Sequence, residues 1–310
     1  MPLELITADQ RLAETNNKTS LAIMGRHKIG KTSLVLTLDP GNTLFCNLEA
    51  GMKSIQEWTG PDIPLRTYPD AKDLACLIGG IDPAAHNGIP TKDGKGWEMW
   101  PQDYSATHYN HVLRTYANTP VGQWWLSREG QRRLVFWDSI SDLTRLAMVW
   151  AETQPEAFSE KTGKKDVRGQ YGLLGREIVK MLKHIQHAPG VDVVFVGGLD
   201  VDVSESGVTT FSIAAEGRKI AAELPYIVDQ VIVYSDFDFV SDPNSPGGGY
   251  FIHNLHKGQH RAFCCKSPNP WGLQAGDRSG ALDMIEEPHL GRLLAKINAQ
   301  AGRTLASFRS

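Results

Sequence analysis

The clearest chemistry in the chain lies in Gly25-Arg26-His27-Lys28-Ile29-Gly30-Lys31-Thr32-Ser33. Two glycines stand where a backbone must bend tightly, and a lysine and a hydroxyl follow at once. Such a loop turns successive N–H groups towards one point, where a phosphate fits. Lys31 would reach the β- and γ-phosphates of a nucleoside triphosphate such as ATP, and the Thr32 hydroxyl would ligate Mg²⁺. The loop is flanked as that chemistry requires. Ser20–Met24 is an apolar run before it, and Leu34, Val35 and Leu38 share one helical face after it. This predicts strand, loop and helix, with the helix beginning near Lys31.

Phosphate chemistry needs further groups, and two acids stand where a sheet could deliver them. Asp138 closes the apolar run Leu134-Val135-Phe136-Trp137, which places it at the C-terminal edge of a strand. It is assigned to Mg²⁺, through Thr32 or water; capping the next helix is its other reading. Glu49 follows Thr43–Leu48, the strand after the loop's helix, and falls on the same rim. It is assigned as the general base that polarises an attacking water; an idle surface glutamate is the alternative.

The elements that position these groups read as α/β. Asp39-Pro40-Gly41-Asn42 is a turn signal, so the first elements form a βαβ unit and imply a parallel sheet. Helices are predicted over Ala71–Ile78, Tyr104–Tyr116, Ser139 to about Glu152, Gln170–His187 and Leu290–Ala299. Val191–Val196 is a further buried strand, ending at Gly197-Gly198. From Val201 the pattern shortens to Val201–Val203, Val208–Ile213, Ile227–Tyr234, Tyr250–Leu255 and Arg261–Cys265, read as hairpins continuing one sheet. The whole chain, 1–310, is read as one domain. It has an N-terminal extension over 1–18, a short helix at Ala8–Glu14 included, and an insertion over 80–130. C-terminal strands and a closing helix fill 201–310. The insertion holds Trp97, Trp100, Trp124 and Trp125. They could stack on bases, but packing the insertion against the core is preferred.

Composition sets the outer limits. Of 310 residues 41% are apolar and 22% charged, as in an ordinary soluble protein. A net charge of −3 means that any nucleic-acid site must be a local basic patch. The cysteines, Cys46, Cys76, Cys264 and Cys265, form no C-x-x-C, and no stretch of 18 apolar residues occurs, so a cytoplasmic, non-membrane location is expected. The pairs His108/His111 and His184/His187 have helical spacing, but no further ligands converge on them, which argues against zinc.

Taken in order, Gly25–Thr32, Leu44–Glu49-Ala50-Gly51, Leu134–Asp138-Ser139 and Val191–Val196 resemble RecA-like ATPases. Gly217-Arg218-Lys219, Leu224–Val231 and Asp277–Leu282 add a likeness to the RecA-type ATP-binding proteins of bacteriophages, including the Sak group of single-strand annealing recombinases, over about residues 18–298. The resemblance implies a RecA-like P-loop NTPase core with a mainly parallel sheet flanked by helices. It implies ATP hydrolysis with Mg²⁺, homo-oligomers, single-stranded DNA as partner, and a role in recombination or annealing. It also places a catalytic glutamate where Glu49 stands. The family often carries a polar sensor where this chain has Gly197-Gly198-Leu199, leaving Asp200 as the substitute. A basic residue from the next subunit would be Lys266 or Arg278, with Lys28 as a cis alternative. Lys161, Lys164, Lys165 and Arg168 are the expected DNA patch, with Ser204–Thr209 as a second contact; a solvated charged loop is the other reading. A small-molecule kinase and an ATP-dependent recruitment module remain as alternatives.

Overall fold

The computed structural model describes residues 18–49, 51–82, 84–85, 103–159, 161–207, 209–242, 248–255 and 257–300. The expected Ala8–Glu14 helix, Trp97 and Trp100 lie outside these.

Among the described residues eleven strands form one sheet, built on β1 (Ser20–Gly25). β1 lies between two parallel neighbours, β5 (Val191–Val203) and β7 (Gln230–Ser241). Beyond β5 come β4 (Arg133–Asp138), β2 (Thr43–Asn47) and β3 (Asp62–Pro64), all parallel. Beyond β7 the sheet turns antiparallel, with β9 (His260–Cys264) and β11 (Ile285–Glu286), while β10 (Gly276–Asp277) also pairs with β7. The strand ending in Asp138 is thus one strand removed from the strand ending in Gly25, with β5 between them.

Alternation along β1 assigns its two faces. Ala22 and Met24 pack into a core shared with α1 (Tyr68–Gly79), α4 (Ile140–Ala151), α5 (Val167–Gln186) and α6 (Arg218–Ile227). Leu21 and Ile23 pack on the other side against Leu34, Val35 and the closing helix α7 (Leu290–Gln300). A period of two with both faces buried is what a central parallel strand requires.

Several expectations are corrected. The helix after the loop is a six-residue 3-10 helix, Thr32–Thr37, though Leu34, Val35 and Leu38 are buried as predicted. Gly197-Gly198 does not end its strand: β5, 13 residues long in all, runs on to Val203 and folds back as β6 (Thr209–Ala214). β7 likewise overruns and pairs with β8 (Gly249–Asn254). The segment around Leu224-Pro225 is helix, with Ile220, Leu224 and Ile227 on its buried face and Pro225 near its end. Two short helices follow in the insertion, α2 (Ala106–Tyr116) and α3 (Pro120–Leu126). In α3 Trp125 is buried under the Arg133 guanidinium, 3.9 Å from the ring centre, and Arg128 lies over Trp124 at 4.5 Å. These two tryptophans pack, as preferred. The histidines serve structure as well: His108 bonds Asp73 at 2.8 Å, and His184 stacks on Tyr104 at 4.0 Å.

Candidate phosphate-binding site at the end of the central strand

Gly25 sits in register with Gly198 on one side and Tyr234 on the other. A Cβ on Gly25 would come within 2.7 Å of the Tyr234 carbonyl, so only glycine lets β7 pair this closely. The chain then turns through Lys28 (φ 61°) and Gly30 (φ 100°), a left-handed conformation at both. Ile29 points back into the core and anchors the loop, whereas His27 and Lys28 are exposed. Lys31 folds across the loop and donates to the carbonyls of Gly25 (2.9 Å) and Arg26 (2.8 Å).

The two predicted acids meet here. The Asp138 carbonyl accepts the N–H groups of Leu48 (2.8 Å) and Glu49 (3.1 Å), which ties the end of β2 to the end of β4. Gly51 packs on Thr32, so the loop carrying Glu49 reaches the Thr32 hydroxyl. Asp138 is 1% exposed, and neither carboxylate oxygen makes a hydrogen bond among the described residues. Burial raises its pKa, while the nearby Thr32 hydroxyl and the Lys31 charge hold it down. Burial lowers that of Lys31, opposed by the Glu49 and Asp138 carboxylates. Glu49 is pushed up to about 7, by burial first, then by Asp142 beside it and the charge of Asp138. Buried carboxylate oxygens without a partner, beside a hydroxyl, suit a hard divalent cation. Mg²⁺ takes one or two carboxylates plus substrate phosphates, and Thr32 with Asp138 provides such a set.

Sequence reasoning missed Asp142 and Ser139. Ser139, not Asp138, caps α4: its hydroxyl accepts the Asp142 N–H at 3.2 Å and donates to the Asp142 carboxylate at 2.6 Å. The Ser-x-x-Asp spacing was the available signal.

The remaining predicted residues lie elsewhere. Asp200 sits on the exposed overrun of β5, its carboxylate accepting the Val201 N–H. The sensor position itself is filled: a side chain on Gly197 would strike Ile213 at 2.5 Å, and Ser141 binds the Gly198 N–H at 2.9 Å. Arg278 bonds the Tyr226 carbonyl and pairs with Asp229 at 4.0 Å, beside the start of β1. Lys266 follows the end of β9 that also faces away from Gly25. Neither reaches this chain's own phosphate loop. The segment carrying Lys161, Lys164 and Lys165 is a hydrogen-bonded turn, with Phe158 and Lys165 bridged and the Ser159 N–H bonded to the Lys164 carbonyl. Lys165 pairs with Glu152 at 3.2 Å; Lys161, Lys164 and Arg168 are exposed, and none of the ion pairs among the described residues takes them up.

Residues 17–279 match the family model of the AAA domain, and the chain belongs to that family. None of the curated proteins matches it. Among solved structures it is similar to an ATPase from the type III secretion system of pathogenic bacteria. That match has 12% identity and a TM-score of 0.37, over 70% of this chain and 51% of that one. It is also similar to the pCW3 conjugation coupling protein TcpA, at 14% identity and a TM-score of 0.30, over 71% and 49%. The chain thus spans about half the length of each. No helix among the described residues is long and apolar enough to cross a membrane.

Proposed function

We propose that this AAA-domain protein binds ATP and hydrolyses it with Mg²⁺, and that the nucleotide state controls its hold on single-stranded DNA. The convergence of Lys31, Thr32, Asp138 and Glu49 on one strand end carries the first half. The loop amides and Lys31 would bind the phosphates, Lys31 exchanging the Gly25 and Arg26 carbonyls for phosphate oxygens. Thr32 and Asp138 would hold Mg²⁺, which would supply charge to offset that of the phosphates. Glu49 would orient the water and take its proton; a carboxylate with a pKa near 7 is matched to that task.

The DNA half rests on a basic and aromatic surface. A cavity of about 440 Å³ between α5 and α6 is lined by Tyr171, Gly175, Gly217, Arg218 and Lys219. Tyr171 is 45% exposed, one helical turn beyond Arg168. A ring open to solvent beside several cations is what stacking on unpaired bases needs. In this reading the protein is an oligomer of the RecA-like phage type, acting in recombination or annealing, with Lys266 or Arg278 serving a neighbouring copy's site.

The test is ATP hydrolysis with and without single-stranded DNA, for wild type, Lys31→Ala and Glu49→Gln. DNA should stimulate wild type. Lys31→Ala should lose nucleotide binding, whereas Glu49→Gln should keep it and lose about 10²–10⁴ in turnover. Turnover indifferent to DNA would sink the coupling, and normal turnover in Glu49→Gln would sink its role as base.

A further inference from the structure

A second set of charges borders the phosphate loop on the side of β7. Tyr234 and Asp236 lie two residues apart on that strand, hence on one face, and Arg261 on β9 is the register partner of Asp236. The Asp236 carboxylate accepts from Arg26 of the loop at 3.0 Å and pairs with the Arg261 Nε at 3.5 Å. Asp236 is buried, while the Arg261 side chain is 54% exposed and able to turn. Its reach is set by Gly30: a Cβ there would lie 3.6 Å from Arg261 Nη1 and 3.7 Å from the Tyr234 hydroxyl. Two guanidinium groups share a single carboxylate, so the cluster presents surplus positive charge beside the amides that would cradle phosphate.

We propose that Arg261 is a nucleotide-binding residue supplied by the same chain. Without nucleotide, Asp236 parks it beside Gly30. With nucleotide bound, its guanidinium turns onto the α/β-phosphate oxygens held by the Gly30–Thr32 amides. This rests on the phosphate-loop reading. It differs from a role for Lys266 or Arg278, which would act from a neighbouring copy and need an oligomer.

Titration calorimetry of the full chain with ADP and with ATP tests it, using wild type, Arg261→Ala, Arg261→Lys, Asp236→Asn and Lys31→Ala. Thermal melting checks that each variant is folded. Arg261→Ala should weaken ADP and ATP alike, by about tenfold or more, since a charged hydrogen bond to phosphate is lost. Arg261→Lys should recover part of the loss, and Asp236→Asn, which frees the guanidinium, should bind no more weakly than wild type. In turnover assays Arg261→Ala should raise KM for ATP by about the same factor. A folded Arg261→Ala with wild-type affinity overturns the proposal, and so does a loss confined to ATP, which would move the contact to the γ-phosphate. Wild type that binds neither nucleotide overturns the underlying phosphate-loop reading as well. Binding by wild type that is abolished in Lys31→Ala isolates the Arg261 question.

Discussion

Asp138→Asn should make the nucleotide-free protein more stable while removing its response to Mg²⁺. Two carboxylates, Asp138 and Glu49, act on the single ammonium of Lys31, and Asp142 adds a third negative charge beside those two acids. Asp138 is the most buried of them, and both its oxygens lack hydrogen-bond partners among the described residues. A buried polar group left unsatisfied costs about 1–3 kcal/mol, more if charged. The amide keeps the shape, gives up the charge and relieves repulsion from the two acids that remain. Lys31 keeps its bonds to the Gly25 and Arg26 carbonyls. The amide is as unsatisfied as the carboxylate and gives up the attraction to Lys31, so only the share of that cost due to charge is recovered: about 1 kcal/mol, or roughly 2 °C in Tm for a chain of this size. Thermal melting in EDTA without nucleotide measures it. A second melt with ATP, with and without Mg²⁺, should show metal-dependent stabilisation in wild type only. If Asp138→Asn melts lower than wild type, the carboxylate is structural and the reasoning fails.

Two further predictions concern stability. Burial, acting first, lowers His184 from an ordinary 6.5 to about 4, so between those pH values the unfolded chain binds a proton that the folded chain does not. Stability is therefore lost as pH falls from about 6.5 to about 4, by about 2 kcal/mol once the ring's partial exposure is allowed for. Urea melts should show this loss in wild type but not in His184→Phe, and equal slopes in the two would refute it. At the opposite end of the sheet, Asp192 is fully buried and accepts two bonds from Arg132, at 2.5 and 2.6 Å, and the Thr19 N–H at 2.6 Å. Asp192→Ala removes the buried carboxylate that both Arg132 and the Thr19 N–H bind, leaving the bond from Arg132 to Asn298 at 2.9 Å in place, and should cost about 3–5 kcal/mol in urea denaturation; a loss under about 1 kcal/mol would show the pair to be dispensable.

The sequence made β1, β2 and β4 readable because each is a short apolar run followed at once by chemistry. Gly25, Glu49 and Asp138 each end such a run, and a parallel sheet brings such ends to one rim. The misreadings have local causes. The glycines at 197 and 198 look like a strand terminus but instead admit Ile213 and Ser141 at close range. Pro225 hides a helix whose apolar spacing is otherwise regular. Arg261 was legible as the start of a strand but not as a neighbour of the loop, because that depends on the register of β9 against β7, which the residues around it do not record.

The two strands flanking β1 do not stop where β1 stops, and the mechanical consequence differs on the two sides. From Tyr234 to Ser241, β7 continues for about 23 Å with no glycine, so displacing its far end levers directly on the residue in register with Gly25. From Gly198 to Val203, β5 extends about 17 Å on a base of two adjacent glycines, which soften a strand. The first arm therefore meets the phosphate loop through side-chain-bearing residues alone, while the second meets the sheet through two glycines whose missing side chains leave room for Ile213 and Ala214 of β6.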